Sequence, residues 1–117
     1  MLIIMFSKKE FIKKSVDTIT VGIKVVTFKE GDYHIVYCQA LELSAYGETE
    51  AKARKRFDEE IKIFFDETSR KGTLEKLLLQ LGWTLKKMPQ PKYEPPKFKN
   101  RVQRHESSFT ERIAIPV

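Results

Sequence analysis

The hydrophobic spacing of this chain changes from period two to helical around Gly47-Glu48-Thr49, and that change limits the fold more than any other feature. Before it, Ile19, Val21, Ile23 and Val25 alternate with Thr20, Gly22 and Lys24, the period-two signature of a strand with one buried face. After it, Ala53, Phe57, Ile61, Phe64 and Thr68 recur at spacings of four, four, three and four, so they line one face of a helix. Strands followed by helices predict an α+β domain whose first long helix packs on an antiparallel sheet.

Local chemistry sharpens the boundaries. The apolar parity shifts at Val26 and Phe28, which a bulge or a strand covered on both faces would produce. Glu30-Gly31-Asp32 supplies a turn, and Tyr33 to Tyr37, aromatic and β-branched, reads as the returning strand of a hairpin. Glu42 to Tyr46 alternates again as a shorter third strand that stops at Gly47. Thr49 is placed to cap the helix with its hydroxyl, and Glu50 lies near the positive end of the helix dipole. Lys71-Gly72 ends that helix, because glycine adopts the left-handed conformation without a Cβ clash. Leu74, Leu77, Leu78 and Leu81 predict a short second helix closed by Gly82, and Trp83-Thr84-Leu85 a fourth strand. The expected fold is a three- to four-stranded antiparallel sheet packed against one long and one short helix, with an extended C-terminal tail.

The chain of 117 residues suits one hydrophobic core. Residues 1–87 form the expected α+β domain. Residues 88–117 form a Pro-rich basic tail, because Met88 to Pro96 holds four of the five prolines and these deny backbone donors to a helix or sheet interior. Ile113, Ile115 and Val117 alternate at its end like a terminal strand, which needs a sheet edge from its own or another subunit. The net charge of +6 is concentrated there. Residues 83–117 carry eight Lys/Arg against three Asp/Glu, whereas residues 1–47 carry six against five and residues 48–82 eight against eight.

The opening Met1 to Phe6 is apolar over only six residues, without a basic flank or cleavage site, so a signal peptide is not expected. No run approaches the ~18 apolar residues of a membrane span. The lone Cys38 cannot form an internal disulfide and fits a reducing compartment, so the expected location is the cytoplasm with no membrane association.

Catalytic and cofactor chemistry finds little support. His34 and Cys38 share strand parity but stand about 13 Å apart at ~3.3 Å per residue, too far to share a metal. There is no Gly-rich phosphate loop, paired-Cys motif or nucleophile elbow. Asp32, Glu42 and Glu48 read as solvated turn and strand-end acids rather than a two-metal nuclease site. His105 among Arg101, Arg104 and Glu106 has the groups of a metal-independent ribonuclease, but a basic tail positions them poorly. No enzyme activity, metal or cofactor is expected. In the tail, Lys97, Phe98, Lys99, Arg101 and Arg104 interleave an aromatic with positive charge, a pattern suited to DNA or RNA, to an acidic protein partner, or to solubility alone. Ile63 and Leu79 lie off the apolar faces of their helices and point to a subunit contact, hence a homodimer.

The ordered run from Phe28 to Thr49, with Gly31-Asp32-Tyr33, Tyr37-Cys38-Gln39-Ala40-Leu41 and Gly47-Glu48-Thr49, resembles the HicB family of bacterial antitoxins. Gly72-Thr73-Leu74-Glu75 and Leu81-Gly82-Trp83 continue the resemblance, which covers roughly residues 20–86. It implies a partial ribonuclease H-like fold without that fold's catalytic carboxylates, and a role in blocking a small RNA-cleaving HicA-type toxin. Two departures stand out. Lys52 occupies the third helical position, where a capping box needs Glu or Gln, and Met88 to Val117 is too short and Pro-rich for the DNA-binding module that many relatives carry. On this resemblance, Tyr37, Gln39, Glu42 and Tyr46 are the expected toxin-docking residues, covering the toxin's active site. The alternatives are a nucleic-acid-binding dimer that uses its tail, and an orphan relative without a toxin.

Overall fold

The computed structural model of the chain describes residues 10–87, 92–97 and 107–116. Seven strands and two helices follow in the order β1 (Phe11–Lys14), β2 (Thr18–Glu30), β3 (Tyr33–Cys38), β4 (Leu43–Gly47), α1 (Glu50–Lys71), α2 (Leu74–Gln80), β5 (Thr84–Lys86), β6 (Lys92–Glu94) and β7 (Ser107–Pro116). The α+β class, the antiparallel sheet and the pairing of a long with a short helix agree with the sequence reading. The sheet is larger than expected: among the described residues it has seven strands rather than three or four. The terminal strand read at Ile113 and Ile115 is present as β7, whereas β1 and β6 were not expected, β6 lying in the stretch read as an extended linker.

The long strand β2 organises the sheet. β7 runs antiparallel along one of its edges, in unbroken register from Thr18↔Pro116 to Thr27↔Ser107. The opposite edge is shared end to end, with β1 beside Ile19–Gly22 and β3 beside Val26–Glu30. From β2 the sheet therefore forks into β3-β4 on one branch and β1-β6-β5 on the other. In the gap between the branches the Lys24 amide donates to Glu10 Oε2 at 3.0 Å. A side-chain carboxylate thus takes the place of a neighbouring strand, and Glu10 is itself buried.

The unbroken register with β7 leaves no bulge on that side of β2, and Val25, Val26 and Thr27 are buried in succession. The parity shift in sequence therefore marks a strand covered on both faces. On the face opposite the helix, Phe11 lies across Gly22, where an added Cβ would stand 2.5 Å from the ring. The Arg112 guanidinium sits 5.7 Å from the centroid of the same ring.

Helix α1 begins as expected: the Lys52 amide donates to Thr49 Oγ1 at 3.1 Å. It ends at Gly72, with φ of 69° in the left-handed region. Its buried stripe is Ala53, Phe57, Ile61 and Phe65. Phe65 replaces the expected Phe64, which is only partly buried, because the stripe keeps a spacing of four to its end. Burying each aromatic contributes roughly 2–3 kcal/mol. Gly47 lets helix and strand approach closely, since a Cβ there would lie 2.7 Å from the Ala53 amide nitrogen.

β7 meets α1 through two carboxyl groups. Glu111 pairs with Ile23 on the helix-facing side, is half-buried, and shares a hydrogen bond with Asp58 of α1. Burial first, then the bond to and charge of Asp58, push the Glu111 carboxyl up to about 8, against a smaller opposing effect of Arg54.

Candidate partner-binding surface

The β3–β4 hairpin carries all four of the expected docking residues. Its turn is anchored from within: Ala40 and Leu41 are buried, and Trp83 Nε1 donates to the Ala40 carbonyl at 2.8 Å. That buried bond ties the turn to the segment 43 residues later. The Glu42 amide donates to the Gln39 carbonyl at 3.2 Å, and Glu42 has φ of 53°, the one described non-glycine residue in the left-handed region. Glu42 therefore belongs to the turn, and β4 starts one residue later than its alternation suggests. A residue without a branched Cβ holds such a conformation at modest cost. The turn thus presents the Glu42 carboxylate to solvent from a fixed backbone.

The cross-strand register decides which side chains share a face. Val26↔Tyr37, Phe28↔Ile35 and Glu30↔Tyr33 pair between β2 and β3, and Tyr37↔Ser44 and Ile35↔Tyr46 between β3 and β4. Ala45 is buried toward α1, so Tyr33, Ile35, Tyr37 and Tyr46 lie on the opposite face. Tyr37, Gln39 and Glu42 gather at the turn end, where burial, followed by the charges of Glu42 and Cys38, raises the Tyr37 hydroxyl pKa. Tyr46 stands at the other end of the hairpin. Its neighbour is Tyr33, edge-to-face at 5.5 Å, a residue absent from the expected docking set. Tyr46 is 57 % exposed and Tyr33 47 %, so about half of this aromatic pair faces solvent. A cleft of about 210 Å³ opens beside it, lined by Glu30, Tyr33, Ile35, Ser44, Ala45 and Tyr46.

A second, more polar cleft runs along the outer edge of β4, between that strand and Arg56, Glu59 and Glu60 of α1. The Arg56 guanidinium sits 5.9 Å from the centroid of the Tyr46 ring, on the flank of α1 beside this cleft. Arg56, Glu59 and Glu60 lie off the buried stripe of α1. Their association with β4 depends on that strand being the sheet edge, which no local pattern specifies.

Of the tail residues, Lys97 is exposed, and Phe98, Lys99, Arg101 and Arg104 lie outside the described residues, as do His105 and Glu106. Asp32 and Glu42 occupy the turns at opposite ends of β3. Among the described residues no three His, Cys, Asp or Glu side chains gather into a metal site, and no helix is long and apolar enough to cross a membrane. Ile63 and Leu79 are about half exposed, as their helical phase required.

No protein-family model, curated protein or solved structure matches the chain.

Proposed function

We propose that this chain is a HicB-like antitoxin, a binding protein that occludes the active site of a small HicA-type, mRNA-cleaving toxin in the bacterial cytoplasm. The observation that carries the reading is the half-exposed Tyr33–Tyr46 pair on the sheet face opposite α1, continuous with Ile35 and Tyr37. Tyrosines joined to an apolar floor are what protein interfaces use as anchors, since the ring buries a large area and the hydroxyl keeps a polar contact. Gln39 and Glu42, held in the anchored turn, supply the polar rim, and Glu42 suits a basic toxin surface. The ordered motifs from Phe28 to Trp83 support the same reading.

Inhibition on this account is steric and needs no chemistry from the chain itself. The test is co-purification with a small basic protein encoded beside it, followed by an RNA-cleavage assay on that protein with and without the chain. The full-length chain should form a stable complex and silence cleavage, while Tyr46→Ala and Tyr33→Ala should each weaken inhibition at least tenfold. Undiminished inhibition by the double alanine variant would move the docking surface elsewhere, and failure to silence cleavage would overturn the antitoxin reading.

A further inference from the structure

An open sheet edge presents a row of unpaired backbone donors and acceptors, and among the described residues the sheet has three such edges, β4, β5 and β7. They are not equivalent. β5 is three residues long and ends in the Lys86–Glu94 ion pair. β7 is long, but charge blocks its self-pairing. A two-fold axis that keeps both helices on one side of a joined sheet sets residues of equal parity opposite each other. About the middle of β7 it would therefore place Arg112 against Arg112, directly opposed like charges that destabilise a strand pair, or Glu111 against Glu111, two carboxyls already engaged with Asp58 of their own copies.

β4 has the opposite character. We propose that two copies of this chain join antiparallel through β4, about a two-fold axis at Ala45, into one continuous sheet with both α1 helices on the same face. The register this axis imposes sets small against large on either side of the axis and small against small on it: Leu43 faces Gly47 of the second copy, Ser44 faces its Tyr46, and Ala45 faces Ala45. β4 carries no proline and no charged side chain, the usual guards of an edge meant to stay single.

The flank of α1 is self-complementary about the same axis. Arg56, Glu59 and Glu60 line the cleft beside Ser44, Ala45 and Tyr46, level with the axis. Rotation about the axis brings Arg56 of each copy toward Glu59 and Glu60 of the other, so the cleft receives opposite charge from its mate. Ile63 follows Arg56 and Glu60 at the i+7 and i+3 positions of the same flank, and its half-exposed side chain gains apolar cover there. The aromatic face of the hairpin stays open on the other side of the sheet, so pairing through β4 is independent of the antitoxin reading.

Sedimentation equilibrium on the isolated full-length chain tests the inference. The wild type should weigh twice its 13.7 kDa, and Arg56→Glu and Glu60→Arg should each raise the dimer dissociation constant at least tenfold. The double variant R56E/E60R restores charge complementarity across the axis and should return the constant to within threefold of wild type. A rescue of this kind separates a broken ion pair from a damaged fold. A monomeric wild type at 100 μM (~10⁻⁴ M, weaker than any stable interface), a dimer indifferent to both single reversals, or a double variant no better than the singles would each overturn it. An edge that accepts a strand only from a co-expressed toxin would appear as the first of these results.

Discussion

Replacing Glu111 by glutamine should make the protein more stable at neutral pH, although it removes an ionisable carboxyl from a hydrogen-bonded site. In the folded chain the carboxyl is pushed from 4.5 to about 8, chiefly by burial and then by Asp58. Below pH 4.5 Glu111 is protonated whether the chain is folded or not, and it contributes no pH dependence. Between 4.5 and about 8 the unfolded chain releases the proton while the folded chain keeps it, so stability falls as pH rises. In a sealed site that interval would carry about 5 kcal/mol, at about 1.4 kcal/mol per pH unit. Glu111 is only half-buried, and solvent screening reduces the effect to about 1–2 kcal/mol. Glutamine keeps a neutral donor toward Asp58 and has no proton to lose. Urea denaturation at pH 4, 6, 7.5 and 9 should show the two proteins equal at the acid end and E111Q ahead by that amount at pH 9. A wild type whose stability does not fall between pH 5 and 8, or a variant less stable than wild type at pH 9, would refute the reasoning.

Other expectations concern the anchors of the hairpin and the tail. Trp83→Phe leaves the buried Ala40 carbonyl without its 2.8 Å donor and should cost about 1–3 kcal/mol in urea denaturation, with weaker toxin inhibition if the turn loosens. Gly47→Ala sets a methyl 2.7 Å from the Ala53 amide nitrogen, so β4 and α1 must separate, and a loss of about 1–3 kcal/mol should be read in thermal melts. For nucleic-acid binding through the tail, changing Lys97, Lys99, Arg101 and Arg104 together to alanine is the discriminating variant. If the tail binds phosphate, affinity should fall and the logarithmic salt slope should shrink by about 0.9 for each duplex phosphate no longer neutralised. Truncation would be uninformative, because residues 107–116 pair with β2 along its length.

Helix α1 was legible because three independent signals agree at its ends and along its face: the Thr49 cap, the four-residue spacing from Ala53, and the glycine after Lys71. The β2–β3 hairpin was legible for a similar reason, since Gly31 supplies the positive φ between two β-rich runs. β1 was not. In Phe11–Lys14 only Ile12 is fully buried, and one buried side chain leaves no period to detect. A terminal strand could be read from Ile113 and Ile115, but its partner could not, because pairing between distant segments leaves no local trace. The same limit applies to the candidate surface. Tyr37 and Tyr46 could be placed on an alternating hairpin, whereas Tyr33 joins Tyr46 only through the β3–β4 register, and Arg56 joins it only because β4 is the outermost strand.

The fork at β2 also bears on the order in which the chain can become secure. The hairpin of β2 and β3 forms from near neighbours and pairs the distal half of one edge, but the other edge stays open until Ser107–Pro116 arrives from the far end of the sequence. During synthesis a thirteen-residue strand rich in valine and isoleucine therefore waits with one side bare, the kind of segment that adds to a neighbouring chain if given time. Once made, β7 acts as a latch against aggregation, so refolding yield should depend on protein concentration more steeply than a fold of this modest size would suggest.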